Sequence, residues 1–236
     1  MAMADHRLTS SLLALPLFFL VAVVIADPDA KTCADAEKVS VELYTESLCP
    51  FCANFVVNYL SKFFTNGLIE IVDLKIIPYG NARMDSSGHI TCQHGPDECK
   101  LNIIQSCAIH LWPKVDAWFP FIYCLESLPR AIAAEAWKSC NSSIANITLV
   151  EECYKGPTGL LLEKGYAKIT GELDPPHRYV PWVVVNGNPL YEDYGDIEKY
   201  VCDAYKGDHK PQLCKSFERR SRLGLMTSIK DKACMA

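Results

Sequence analysis

The chain has 236 residues, half of them hydrophobic and 22% charged, which excludes a disordered or low-complexity polypeptide and leaves ample material for a buried core. A formal charge of −5 argues against the basic face that nucleic-acid phosphates require. Twelve cysteines, an even number at high density, point to an oxidising compartment and a disulfide framework.

In chain order, residues 1–26 read as a signal peptide. His6 and Arg7 lie in a short polar start, an apolar run extends from Leu12 to Ile25, and small residues surround Ala26. The run is interrupted by Pro16 and falls short of the roughly 20 residues of a membrane span. No later segment is apolar for long enough, so no stable membrane insertion is expected. Residues 27–38 form an N-terminal segment. Further along, the tripeptides Asn141-Ser142-Ser143 and Asn146-Ile147-Thr148 make Asn141 and Asn146 glycosylation acceptors, which fits the secretory pathway.

Val39, Val41 and Leu43 alternate with polar or amphipathic neighbours, the pattern of a half-buried strand. A helix is predicted from Cys49–Pro50, with Cys52, Phe55, Val56, Tyr59, Leu60, Phe63 and Phe64 as its apolar stripe and Gly67 as its stop. Leu68 to Ile77 reads as a second strand, parallel to the first because a helix joins them. From about 97 to 170 the pattern is helical. Gly95-Pro96 followed by Asp97 and Glu98 opens the first helix, Pro113, Pro120 and Pro129 divide the region, and Thr148 with Glu151 forms a capping box before Gly156-Pro157. Strand character returns at Val180 to Val185. Asn186-Gly187 signals a hairpin to a brief strand near Leu190, and Ile197, Tyr200, Val201, Ala204 and Tyr205 mark a last helix closed by Gly207. The order is βαβ, helical insert, ββα, with the two ends sharing one sheet across residues 39–206. Residues 207–236 form a tail. Beyond Cys214 it carries six basic against two acidic side chains, either a flexible end or a propeptide processed at Arg219 to Arg222.

The chemistry centres on Cys49-Pro50-Phe51-Cys52, placed where a strand ends and a helix begins. Unpaired N–H groups and the dipole at a helix N-terminus favour thiolate over thiol, so Cys49 is expected exposed at the cap, with a pKa well under 7. Cys52, on the buried stripe, would be the resolving thiol that displaces reduced substrate from a mixed disulfide on Cys49. Half a zinc site is the competing reading, but no matching Cys-x-x-Cys pair follows, and no metal is expected. An inert structural disulfide and a pair of unrelated buried thiols also compete with the redox assignment. Pro181 stands at the head of the returning strand, where thioredoxin-like folds hold a cis proline facing the Cys-x-x-Cys pair. Val180 and Pro181 are therefore candidate substrate-binding residues, unless Pro181 is an ordinary trans proline opening a strand.

Cys92-Gln93-His94-Gly95 with Glu98-Cys99 and Asn102 resembles the signature of the gamma-interferon-inducible lysosomal thiol reductase family. Pro78-Tyr79-Gly80-Asn81-Ala82, Pro175-Pro176-His177 and Tyr179 to Gly187 are similar to that family as well. The resemblance runs in order from about Val39 to Tyr205. It implies an α/β thioredoxin-like fold with a helical insertion, and a glycoprotein of acidic endosomal or lysosomal compartments that reduces protein disulfides without a bound organic cofactor. Cys49 and Cys52 match the redox pair. Disulfide-containing proteins would be the substrates, and an external small thiol or protein the reductant. Cys92–Cys99 is the preferred structural bridge in the signature, and His94 is read as a hydrogen-bonded structural residue rather than a catalytic one. Many thioredoxin-like enzymes place a buried acid six residues before the first active cysteine. Leu43 stands there; Glu42 and Glu46 are near in sequence, but alternation should point Glu42 to the other face from Leu43, and the proton acceptor for Cys52 stays open. Ten further cysteines could make five bridges, with Cys140–Cys153 and Cys202–Cys214 as short-range candidates.

Two rivals accompany this reading. One is the same chemistry run as an oxidase or isomerase in the secretory pathway. The other is a non-catalytic, disulfide-stapled binding module that uses Trp112, Trp118, Phe119 and Phe121 as an exposed groove.

Overall fold

A computed structural model describes residues 37–140 and 146–221. The signal-peptide region, the first sequon at Asn141, and Cys33 and Cys234 lie outside the described residues, as does the chain beyond 221.

Strand β1 (Val39–Thr45) leads into helix α1 (Pro50–Asn58) and then β2 (Val72–Pro78). A short hairpin, β3 (Arg83–Met84) with β4 (Ile90–Thr91), precedes five helices: α2 (Pro96–Leu111), α3 (Val115–Ser127), α4 (Arg130–Ala136), α5 (Ile147–Lys155) and α6 (Pro157–Gly171). The chain returns as β5 (Trp182–Val185), β6 (Asn188–Pro189) and α7 (Ile197–Ala204). The sheet order is β2-β1-β5-β6. β1 runs parallel to β2, with Val41 opposite Leu74, and antiparallel to β5, with Leu43 opposite Val183. Both ends of the sequence thus supply one sheet, and the helices enter between them.

Alternation along the strands divides the sheet's two faces. Val39, Val41, Leu43, Val183 and Val185 join the main core with Phe55 and Val56 of α1 and Ile197 and Val201 of α7. Tyr44, Ile77, Trp182 and Val184 form a second cluster, against which Tyr166 of α6 and Leu173 pack. Trp118, Phe119 and Phe121 are buried in the main core and Trp112 is packed against it, so the aromatic groove of the binding-module reading is absent here.

Local departures have local causes. The expected helix after Cys49 breaks at Tyr59 and continues only as a 3-10 turn over Leu60–Phe64. Leu68–Ile71 is also a 3-10 turn rather than strand: Leu68 and Ile71, three residues apart, are both buried, and the Leu68 N–H is bonded to Asn66 Oδ1. Pro120 does not divide α3 but lies inside it. Asn146, not Thr148, caps α5, its exposed side chain accepting the Thr148 N–H at 3.1 Å. Asn186 and Gly187, with φ of 46° and 77°, make the predicted tight turn.

The described disulfides are Cys92–Cys99, Cys107–Cys153, Cys124–Cys140 and Cys202–Cys214. Cys140–Cys153 is therefore wrong. α5 packs against α2, which carries Cys153 to Cys107, whereas Cys140 ends a turn beside α3 and meets Cys124.

Candidate active site

After Thr45 the chain leaves the sheet through Glu46, Ser47 and Leu48. Leu48 takes a φ of 66°, uncommon outside glycine, and so turns strand into helix within a few residues. Arg130 holds this corner by donating to the Leu48 carbonyl at 3.3 Å. Cys49 is the N-cap of α1, with Pro50 at the first helical position, where its missing N–H removes no helical bond.

Cys49 and Cys52 are the free cysteines among the described residues. Cys52 is wholly buried, as its place on the stripe requires. Cys49 departs from expectation. Only 5% of it is exposed, because it clusters with Cys52 and Val180, the residue before Pro181. Phe51, 66% exposed, forms the outer surface of the motif instead. The Val180–Pro181 peptide is cis, as is Asp174–Pro175.

The two sulfurs titrate in opposite directions. Cys49 is lowered from 9.0 to about 6, first by a hydrogen bond from the Cys52 thiol, against the penalty of burial, then by the backbone N–H groups of Cys52 and Phe51 and by the charge of His94. The helix cap thus acts as foreseen, but the second sulfur contributes more. Burial, and then its bond to and the charge of Cys49, holds Cys52 well above the usual thiol range, with the Thr45 hydroxyl and the Glu46 N–H opposing.

A polar stripe on α2 holds the approach to this pair. Glu98, Asn102 and Gln105 recur at i, i+4 and i+7 and are wholly buried. Asn102 Oδ1 accepts the Ser47 N–H at 2.8 Å, and Gln105 Nε2 donates to Ser47 Oγ at 2.8 Å and to Glu126 Oε1 of α3 at 2.5 Å. Glu98, in the first turn of α2, where the helix dipole favours an anion, uses Oε2 to accept the His94 backbone N–H and to pair with Nδ1, both at 2.6 Å. His94 Nδ1 lies 3.6 Å from Glu46 Oε1, and Glu46 Oε2 accepts the Asn81 N–H at 2.7 Å. Gly80 makes that last seat possible. Its φ is 57°, and a Cβ there would stand 2.6 Å from the Glu46 Cβ.

Burial pushes the Glu46 carboxyl up to about 7. The Asn81 N–H and His94 oppose the shift, while Glu98 and Cys49 add to it. Burial likewise pushes Glu126 up to about 8, opposed by Gln105 and aided by the charge on Cys49. Leu43 is buried in the core, and Glu42 faces away, accepting from the Tyr44 hydroxyl at 3.0 Å and pairing with Lys75 at 3.6 Å. Glu46 and Glu126 are therefore the carboxyls electrostatically linked to Cys49. Sequence reasoning noted Glu46 only as an acid near in sequence, without assigning it, and did not single out Glu126; the polar stripe on α2 that bonds to Glu126 through Gln105 was a readable signal. Glu46, His94 and Glu98 place ligand atoms within 4.8 Å of one another and could share a cation, but His94 Nδ1 is already committed to Glu98.

Residues 40–144 match the family model described as Gamma interferon inducible lysosomal thiol reductase. The chain is 38% identical over 219 residues to the gamma-interferon-responsive lysosomal thiol protein of Arabidopsis thaliana, covering 91% of this chain and 92% of that one. It is 36% identical over 184 residues to the gamma-interferon-inducible lysosomal thiol reductase of Mus musculus, covering 75% and 72%. In structure it resembles Chlamydia trachomatis DsbA, with a TM-score of 0.54 at 13% identity over 76% of this chain and 89% of that one. It also resembles BdbD of Bacillus subtilis, with a TM-score of 0.52 at 15% identity over 71% and 87%. The fold is thioredoxin-like with a helical insertion, and the enzyme is a thiol–disulfide oxidoreductase acting on disulfide-containing substrates. By its identity to these relatives over most of its length, this chain belongs to the gamma-interferon-inducible lysosomal thiol reductase family.

Proposed function

We propose that this oxidoreductase reduces protein disulfides in an acidic compartment of the secretory or lysosomal route, with Cys49 as nucleophile and Cys52 as resolving thiol. The observation that carries the reading is the unpaired dithiol at the strand-to-helix junction, with its outer sulfur held near pKa 6 while the other eight described cysteines are bonded. An ordinary thiol of pKa about 8.5 is roughly one part in 3,000 thiolate at pH 5, whereas one near 6 is about one part in ten. The Cys49 thiolate attacks a substrate sulfur, the substrate disulfide breaks, and a mixed disulfide forms on Cys49. Cys52 then loses its proton and attacks Cys49, which releases the second substrate thiol and leaves Cys49–Cys52 oxidised. Cys52, held protonated until then, is kept from competing as the first nucleophile.

Val180 and Pro181 offer the backbone on which an extended substrate would lie. No organic cofactor takes part; the electrons return from an external thiol. Among the described residues no helix is long and apolar enough to cross a membrane.

The test is reduction of a disulfide-linked protein by the mature enzyme from pH 4 to 8, with each active cysteine replaced in turn. Activity that persists at pH 5 and disappears without Cys49 supports the reading; full activity in the Cys49→Ser, Cys52→Ser double variant rejects it. A reduction potential near thioredoxin's, about −270 mV, fits a reductase, and one near DsbA's, about −120 mV, would return the protein to oxidase chemistry.

A further inference from the structure

An open pocket of about 590 Å³ lies between the β3–β4 hairpin and the segment leading to β5, lined by Asn81, Arg83, Thr91, Gln93, Arg178 and Tyr179. Arg83 and Arg178, 95 positions apart in the sequence, are brought to it by the fold. Both are exposed, and neither is paired with a carboxylate among the described residues. The Asn81 amide donates to Gln93 Oε1 at 2.7 Å, and the Gln93 side-chain N–H donors have no acceptor among the described residues. The residues lining the pocket adjoin those around the dithiol: Tyr179 precedes Val180, which clusters with Cys49 and Cys52, the Asn81 N–H holds Glu46, and Gln93 precedes His94.

We propose that Arg83 and Arg178 form a carboxylate-binding site for the electron donor, a small amino-acid or peptide thiol. The inference rests on the reductase reading above. Guanidinium groups bind carboxylates through paired N–H donors. Arginine stays charged in acid, and an α-carboxyl with a pKa near 3.5 stays ionised at pH 5, so this pairing survives where the enzyme works. The volume suits a molecule of one to three residues. Seated there, the donor thiolate attacks Cys49 of the oxidised enzyme. The Cys49–Cys52 bond breaks, Cys52 leaves as a thiolate and takes a proton, and the donor is held as a mixed disulfide. A second donor thiolate attacks the donor sulfur, releasing the donor disulfide and the Cys49 thiolate. Two donor thiols are oxidised for each dithiol restored.

The experiment compares cysteine with cysteamine, which lacks the carboxylate, as donors for the unaltered enzyme and for the Arg83→Gln, Arg178→Gln variant. The ratio of kcat/KM for cysteine to that for cysteamine should fall about tenfold or more in the variant, the worth of lost charge-assisted hydrogen bonds. In parallel, S-methylglutathione, which has two carboxylates and no free thiol, should shift NMR signals of the pocket in the unaltered protein and need at least tenfold more ligand in the variant. An unchanged ratio together with unchanged binding overturns the pocket and leaves the reductase reading intact. A raised KM for the protein substrate, with the donor ratio unmoved, also overturns it by assigning the arginines to substrate. If neither donor supports turnover, the reductase reading fails, while the S-methylglutathione titration still decides whether carboxylates bind.

Discussion

In the helical layer every described cysteine is bonded: Cys107 of α2 to Cys153 of α5, Cys124 of α3 to Cys140, and Cys99 of α2 back to Cys92. In the βαβ unit, Cys49 and Cys52 remain thiols at the mouth of α1. The difference lies in what surrounds the sulfurs. The layer's bridges join packed helices to one another or to the turns beside them. Cys49 sits where unpaired N–H groups and a second thiol favour its anion, so its charged form is stabilised. The two regions are joined by the polar stripe of α2, which hydrogen-bonds the approach to Cys49. The staples therefore hold rigid the platform on which a reactive pair can work.

The severest test of this contrast exchanges sulfur for oxygen. Cys49→Ser should lower disulfide reduction by at least about a thousandfold, whereas Cys52→Ser should accumulate a mixed disulfide with substrate, read by mass spectrometry of the quenched reaction. Equal trapping by both variants would erase the assignment of roles. On the structural side, replacing Cys107 and Cys153 by alanine should destabilise the fold by about 2–5 kcal/mol in denaturant titration. That bridge spans 46 residues against 12 for Cys202–Cys214, and loop-closure entropy makes its loss greater by about 1 kcal/mol. The Cys49 midpoint should move little in the second case.

Alkylation of Cys49 against pH should give a midpoint about 6. A folded-state thiol pKa below the unfolded one stabilises the reduced fold fully above the ordinary value of 9.0, and this contribution is lost as pH falls through about 6. Acid therefore removes a contribution that favours the reduced state. Relative to an unperturbed thiol pair, the enzyme should become the better electron donor at pH 5 than at pH 8, measured as its equilibrium with a thiol–disulfide buffer. A subtler probe is Gly80→Ala. Displacing Glu46 and straining a positive φ should lower stability by about 1–3 kcal/mol and alter the Cys49 midpoint without touching either sulfur. An unchanged midpoint would separate the Glu46 seat from the thiolate.

Much of this was legible in the chain because it depends on neighbours in sequence. Alternation at Val39 to Leu43, the Pro50 helix start and Asn186-Gly187 follow from local sterics and period, while the Cys92–Cys99 bridge was preferred on the family resemblance of its segment. The capping box at Thr148 and the break at Pro120 were also local readings. They failed because Asn146 offered the nearer cap and because the helix tolerated proline among its buried aromatics.

The succession of strands and helices along the chain, the position of Cys-x-x-Cys at a helix mouth, and Pro181 at the head of the returning strand were written in the residues themselves, since each rests on patterns within a few positions. Tertiary packing decided the rest. It covered Cys49 with Val180, set Glu46 and Glu126 within reach of its charge, gave Cys153 to Cys107, and gathered Arg83 and Arg178 at one pocket. The reason is physical: desolvation, charge–charge coupling and sulfur pairing depend on distance in space, and folding sets those distances between residues tens of positions apart.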